Sequence, residues 1–194
     1  MSSASRASFV TTEEYLALER AATEKSEYVN GQIHALSGAS REHNLIATNL
    51  IREIATQLRG RPCEAYGSDM RVKVPATGMY SYPDLVVACG EPRFEDEHVD
   101  TLLDPTLLVE ILSPSTEAYD RGDKFAHYRR IESLREHVLV AQHRMLVERF
   151  TRQDDVWVLA AATDPDAVVE LSSIGCTLRM REVYERVEFA RARG

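Results

Sequence analysis

Asp84, Glu110 and Lys124 stand where a folded chain has poor reason to place a charge. Residues 106–112, TLLVEIL, read as a short strand, apolar on both faces, with one carboxylate at its middle. Upstream, YPDLVVAC begins a second apolar strand with Pro83 directly before Asp84. Downstream, SPSTEAYDRGDKFAHYRRI opens a helix that carries Lys124. An ionised carboxylate in such a strand is costly to bury unless a cation or hydrogen bonds compensate it. Two carboxylates and a lysine gathered by one sheet would form a site for a divalent cation.

The chemistry such a site serves is phosphodiester hydrolysis. That reaction needs a nucleophilic water, neutralisation of charge on the phosphate and help for the leaving oxygen. Mg²⁺ supplies all three where a protein offers one or two carboxylates and leaves positions for water and phosphate. Asp84 and Glu110 are the expected ligands, with the backbone carbonyl of Ile111 as a further oxygen. Strand alternation sends Glu110 to the face of Leu108 and Leu112, and Leu107, Val109 and Ile111 into the core. Lys124 is expected to orient the attacking water or stabilise the pentacovalent phosphate. Asp120 and Tyr128 lie four residues to either side of it and share its helix face, so Tyr128 can bond Lys124 or a phosphate oxygen. The plainer alternatives are an Asp84 that accepts backbone N–H groups at a strand start, and a Glu110 held in a buried salt bridge. Lys124 as a surface lysine paired with Asp120 is the third.

Regular elements must bring these residues together. TTEEYLALERAA reads as a helix with Thr11 as N-cap and Glu14 closing a capping box. SEYVNGQIHALSG reads as a hairpin turning at Asn30-Gly31. Ser40 caps a longer helix whose apolar stripe runs through Leu45, Ile46, Leu50, Ile54 and Leu58. Strands are expected at about 63–66, 70–74, 84–89 and 106–112, then a helix from about 117 to 132. HVLVA, MLVERFT, VWVLAAA and AVVEL read as further strands, and a closing helix covers about 180–190. The alternation gives a mixed α/β (α+β) fold in one domain spanning 9–194, behind a disordered tail at 1–8.

The chain has 194 residues, 44% of them apolar and 28% charged, as expected of an ordinary globular domain. No apolar run approaches the ~20 residues of a membrane-spanning helix, so no membrane partner is expected. Cys63, Cys89 and Cys176 are far apart and form no CxxC pair. This spacing argues against a disulfide framework or a zinc cluster and favours a cytoplasmic location. The net charge of −8 weighs mildly against a simple nucleic-acid binder. Its distribution is uneven: residues 91–104 are acidic and read as solvated surface, whereas 119–152 are basic.

Pro83-Asp84, the Glu110-Ile-Leu strand, Ser113-Pro-Ser-Thr, Asp123-Lys124 and Tyr128 together resemble the Uma-type family of proposed endonucleases, within the PD-(D/E)XK restriction-endonuclease-like superfamily. The resemblance covers roughly residues 10–150 and includes the Glu27-Tyr-Val-Asn-Gly hairpin, Ser37-Gly-Ala-Ser with His43-Asn44, and Ser68-Asp-Met-Arg-Val. It implies a mixed sheet flanked by helices, Mg²⁺ as cofactor with Mn²⁺ as a substitute, and DNA as substrate. It also implies a homodimer, and a place for Glu27 in the metal shell, with an exposed hairpin glutamate as the alternative reading of that residue. One departure stands out. The superfamily places its lysine two residues beyond the acidic strand residue, and Leu112 occupies that position here; members of this branch draw the lysine from the next helix, where Lys124 lies.

His43 reads as a helix-start residue or a phosphate contact, and Asp69 as a turn residue. Ser113 and Ser115 read as turn and cap residues rather than nucleophiles, since no base lies at a defined distance. Tyr66, Tyr80 and Tyr82 read as core or rim aromatics, with base stacking as the alternative. The expected activity is a Mg²⁺-dependent DNA endonuclease. The alternatives are an inactive DNA-binding module using 119–152, and a hydrolase of a small phosphate ester.

Overall fold

The computed structural model describes residues 9–189; the expected tail at 1–8 and the last residue of the expected closing helix lie outside them. The chain begins with α1 (Thr12–Ala21), whose Thr11 side chain accepts the Glu14 amide while Glu14 accepts the Thr11 amide. β1 (Ser26–Val29) and β2 (Gln32–Ala35) form the hairpin, turning through Asn30 and Gly31 at φ 50° and 81°, the left-handed pair that a two-residue turn requires. α2 (Arg41–Gln57) follows, with Ser40 accepting the His43 amide.

The main sheet has six strands. β3 (Cys63–Gly67), β6 (Leu85–Cys89), β8 (Leu107–Leu112), β9 (Glu136–Ala141), β10 (Val147–Gln153) and β11 (Val156–Ala162) run in the order β11-β10-β9-β8-β6-β3. Within this sheet β8 and β9 pair in parallel, and the connection between them is the segment that carries Lys124. A second sheet joins β1 and β2 to β4 (Arg71–Val74), β5 (Met79–Ser81) and β7 (Thr101–Leu102) in the order β2-β1-β5-β4-β7. β12 (Val168–Leu171) and β13 (Cys176–Arg179) form a separate hairpin before α5 (Met180–Val183). The expected mixed α/β architecture is the one observed. β5, β7 and β13 were not foreseen, and the closing helix is shorter than expected.

Every residue of β8 is buried, because each face of the strand meets a core. Leu107, Val109 and Ile111 pack with Ile46, Leu50 and Ile54 of α2. Leu108 packs on the other side with Phe125, Tyr128, Ile131 and residues of β4 and β5. Glu110 projects into this second side, one step along from Leu108.

The helix expected over 117–132 is shorter and irregular. α3 (Glu117–Tyr119) passes into a π-helical turn at Asp120–Lys124, and α4 (Phe125–Tyr128) completes it. The cysteine expectation is corrected: Cys63 and Cys89 are joined by a disulfide. Antiparallel pairing of β3 and β6 sets them directly opposite, with Cα atoms 4.0 Å apart, a proximity their distance along the chain conceals.

Candidate active site

The three residues singled out by type converge. β6 and β8 pair antiparallel with Leu85 opposite Val109; continued one residue, that register sets Asp84 opposite Glu110 on the same face. Asp84 Oδ2 accepts the Ile111 amide at 2.7 Å. Ile111 thus contributes its N–H to the site, and the carbonyl expected as a ligand belongs to the same peptide stretch. Lys124 crosses above β8 because the β8-to-β9 connection starts at the C-terminal end of β8 and runs back over the sheet. Its ammonium lies 3.0 Å from Glu110 Oε1 and 2.9 Å from Glu27 Oε1, with Asp120 Oδ1 at 3.7 Å.

Glu27 belongs to this group although in sequence it lies just before the Asn30-Gly31 turn of a hairpin. It lies on β1, buried, and its Oε1 also accepts the Tyr82 amide at 3.3 Å. Tyr128 is fully buried and donates to Glu110 Oε1 at 2.7 Å. Its only hydrogen is then committed, so the Ser81 hydroxyl, 3.0 Å away, donates to the Tyr128 oxygen. Lys124 and Tyr128 both use Glu110 Oε1, and Oε2 takes no hydrogen bond among the described residues.

The electrostatics are lopsided. Glu27, Glu110 and Asp120 surround one ammonium, with Asp84 on the strand beside Glu110. Burial pushes the Glu110 carboxyl well above the usual range, and the neighbouring Asp120, Asp84 and Glu27 push the same way against Lys124. Asp120 is raised chiefly by burial. Burial works against the Lys124 charge, yet Glu110, Tyr128, Glu27 and Asp120 outweigh it and hold the amine well above its ordinary pKa. Tyr128 is raised by burial and then by Glu110. An excess of negative charge at low dielectric is the environment a cation relieves.

Among the described residues no three His, Cys, Asp or Glu side chains form a ready-made metal shell. Mg²⁺ does not ask for one, since it keeps several waters and takes one or two carboxylates. Asp84 and Glu110, with Glu110 Oε2 open and surplus negative charge around it, fit that donor set.

Other expectations resolve as follows. His43 was read as a helix-start residue or a phosphate contact; its Nε2 lies 2.9 Å from Asp84 Oδ1. No sequence pattern announces that contact, which joins residues 41 positions apart. Asp120 was read only as a helix-face neighbour of Lys124 but is buried with the other carboxylates. The Ser113 hydroxyl engages those of Ser115 and Thr116 and accepts the Thr116 amide, a turn role. Asp69 is exposed and paired with Lys25 at 2.9 Å. Tyr80 stacks within an aromatic trio with Tyr15 and Tyr28 and is closed to bases. Leu112, at the superfamily's usual lysine position, is fully buried.

A mixed sheet flanked by helices, with acidic residues on adjacent strands beneath a helix lysine, defines a restriction-endonuclease-like scaffold. Its fold is shared with the crystal structure of "a putative nuclease belonging to DUF820" from Anabaena variabilis ATCC 29413, at a TM-score of 0.73 and 20% identity, covering 90% of this chain and 97% of that one. The chain belongs to the Uma2 family, described as "Putative restriction endonuclease", whose model matches residues 12–181. It is 37% identical over 164 residues to the uncharacterized protein sll1609 of Synechocystis sp. (strain ATCC 27184 / PCC 6803 / Kazusa), covering 84% of this chain and 93% of the relative. The uncharacterized protein slr1290 of the same organism is 35% identical over 181 residues, covering 93% and 94%. No helix among the described residues is long and apolar enough to cross a membrane.

Proposed function

We propose that this protein is a divalent-metal-dependent endonuclease that hydrolyses DNA phosphodiester bonds. The observation that supports it is the placing of Asp84 and Glu110 on one face of adjacent strands with the Lys124 amine 3.0 Å from Glu110. Asp84, Glu110 and the Ile111 carbonyl would hold the ion, Mg²⁺ or Mn²⁺ in its place. When bound, the ion lowers the pKa of a coordinated water and offsets charge on the phosphate. Lys124 is held by Glu27 and Asp120, so it presents a fixed positive charge at the developing pentacovalent phosphate. Tyr128 holds Glu110 Oε1 and leaves Oε2 without a hydrogen-bond partner among the described residues. Purified protein with Mg²⁺ or Mn²⁺ is expected to nick plasmid DNA, and Asp84→Asn or Glu110→Gln to abolish nicking. Activity persisting in both variants would sink the proposal.

A DNA-binding module without turnover is the second reading, favoured by the engagement of Lys124 with two carboxylates. The basic segment it would use is divided. Arg152 bonds the Arg129 and Ile131 carbonyls at the end of the sheet where β8 begins. His143 and Arg144 follow β9 at the end where Asp84 lies. Salt-dependent DNA binding that needs Arg129 and Arg130 but no metal would favour this reading. Residues 9–194 are proposed to act as one domain, since both cores press on β8. A homodimer is proposed through β11, an edge strand exposing Val156, Val158 and Leu159; light scattering would test it. A cytoplasmic location is proposed on the substrate class alone, because the Cys63–Cys89 bridge withdraws the cysteine argument for it.

A further inference from the structure

Asp84 is held by more than its strand. Its Oδ2 accepts the Ile111 amide at 2.7 Å, and its Oδ1 faces His43 Nε2 at 2.9 Å. An ionised carboxylate has no hydrogen to give, so Nε2 donates. His43 is itself held: its amide donates to the Ser40 hydroxyl at 3.1 Å in the first turn of α2, and the Ser40 hydroxyl reaches Gln142 Oε1 at 3.2 Å. The Gln142 amide donates to the Leu112 carbonyl at 3.3 Å. The start of α2 is thus pinned to the ends of β8 and β9, and through His43 to the start of β6. Both His43 and Asp84 keep about a sixth of their side-chain surface open, 17% and 16%, which places the pair at the mouth of the site rather than in the core.

We infer that His43 is a positioning residue for the metal-binding carboxylate: its hydrogen bond fixes the plane of Asp84, which with Glu110 would hold the ion. Each carboxylate oxygen has two lone pairs, so one bond to His43 and one to Ile111 leave both oxygens able to coordinate. With one of those bonds gone, the carboxylate turns about its terminal torsion, which is broad and nearly unhindered. The inference rests on the proposed metal site.

The test is Mn²⁺ and Mg²⁺ binding measured calorimetrically on the full chain, with DNA nicking in parallel. Melting temperature serves as the control for folding. His43→Ala is expected to weaken binding of both ions by about 10–100-fold, the usual loss when a hydrogen bond to a ligand is removed. His43→Gln, whose amide nitrogen can donate from a similar reach, is expected to stay within a few-fold of the native protein. Three outcomes would overturn the inference: His43→Ala binding as tightly as the native chain, His43→Gln binding as weakly as His43→Ala, or a loss confined to Mn²⁺. The last would make the imidazole a ligand in its own right. The failure of the underlying site is distinguishable, because then the native chain and Asp84→Asn would bind the ions equally.

Discussion

Two clusters of charge lie on this molecule, and they are settled in opposite ways. In the acidic stretch expected as solvated surface, four of the six carboxylates, Glu95, Asp96, Asp100 and Asp104, are paired with a cation. Arg20 spans Asp96 and Asp100, each at 2.8 Å, and Arg71 reaches Asp100 at 2.9 Å. Lys73 pairs with Glu95, and Arg93 with Asp104. The hydrogen bond from Arg20 holds the Asp100 carboxyl well below the usual range. The second cluster gathers Glu27, Glu110 and Asp120 around Lys124 alone, with Asp84 beside them. Abundance of acid therefore says little about where a cation binds. The informative quantity is the shortfall of positive charge where water is excluded.

Removing the lone amine should break this contrast hardest. Lys124→Met leaves three carboxylates buried together, and loss of one partner from a buried pair costs about 3–5 kcal/mol. Urea unfolding at neutral pH without divalent ions should report that loss. A native-like midpoint would mean that the cluster is hydrated and not in deficit. Next in size is the response to the ion itself. Mn²⁺ at about 100 times its Kd should stabilise the native chain by about 2.7 kcal/mol. Glu110→Gln should lose that response, and Arg20→Ala should keep it.

Acidity sharpens the contrast further. At low pH Glu110 is protonated in the folded and the unfolded chain alike. Above the ordinary carboxylate range the unfolded chain releases this proton while the folded chain keeps it. The folded state therefore loses stability as pH rises, by up to about 1.4 kcal/mol per pH unit, until the folded group ionises too. Glu110→Gln should flatten that slope in urea titrations run at several pH values without metal. His137 acts with the opposite sign: fully buried and pushed down to about 3 by burial and then by Lys124, it costs stability as pH falls below the ordinary histidine range. The smallest change is expected from Arg20→Ala, whose carboxylate partners sit in water. Its melting temperature should differ little from the native one, and less still in high salt.

The legible part of this site was the part written in local contrast. Glu110 interrupts an otherwise apolar strand, and Asp84 and Tyr128 stand at readable offsets from strand and lysine. Glu27 was half legible, because a carboxylate before an Asn-Gly turn looks the same whether the hairpin faces solvent or folds over a helix. The His43 contact, the Cys63–Cys89 bridge and the short strand β7 arise from pairing between distant segments. No window along the chain contains them. The five-residue irregularity in the helix is invisible for another reason: the residues there suit a period of 3.6 and the wider winding alike.

That irregularity makes segment length a requirement of the site beside the identities of Lys124 and Tyr128. A Cβ at Gly122 would meet nothing within 4 Å, so Gly122→Ala should be borne easily. Deleting Gly122 would let the backbone relax to regular α-helix. With Phe125 and Tyr128 anchored in the core, the preceding turn would swing by roughly 100° about the axis and carry Asp120 away from Lys124. Insertions and deletions between Ser113 and Tyr128 should therefore disable the centre in chains that still fold, while many point changes on the outer face of the same segment pass unnoticed.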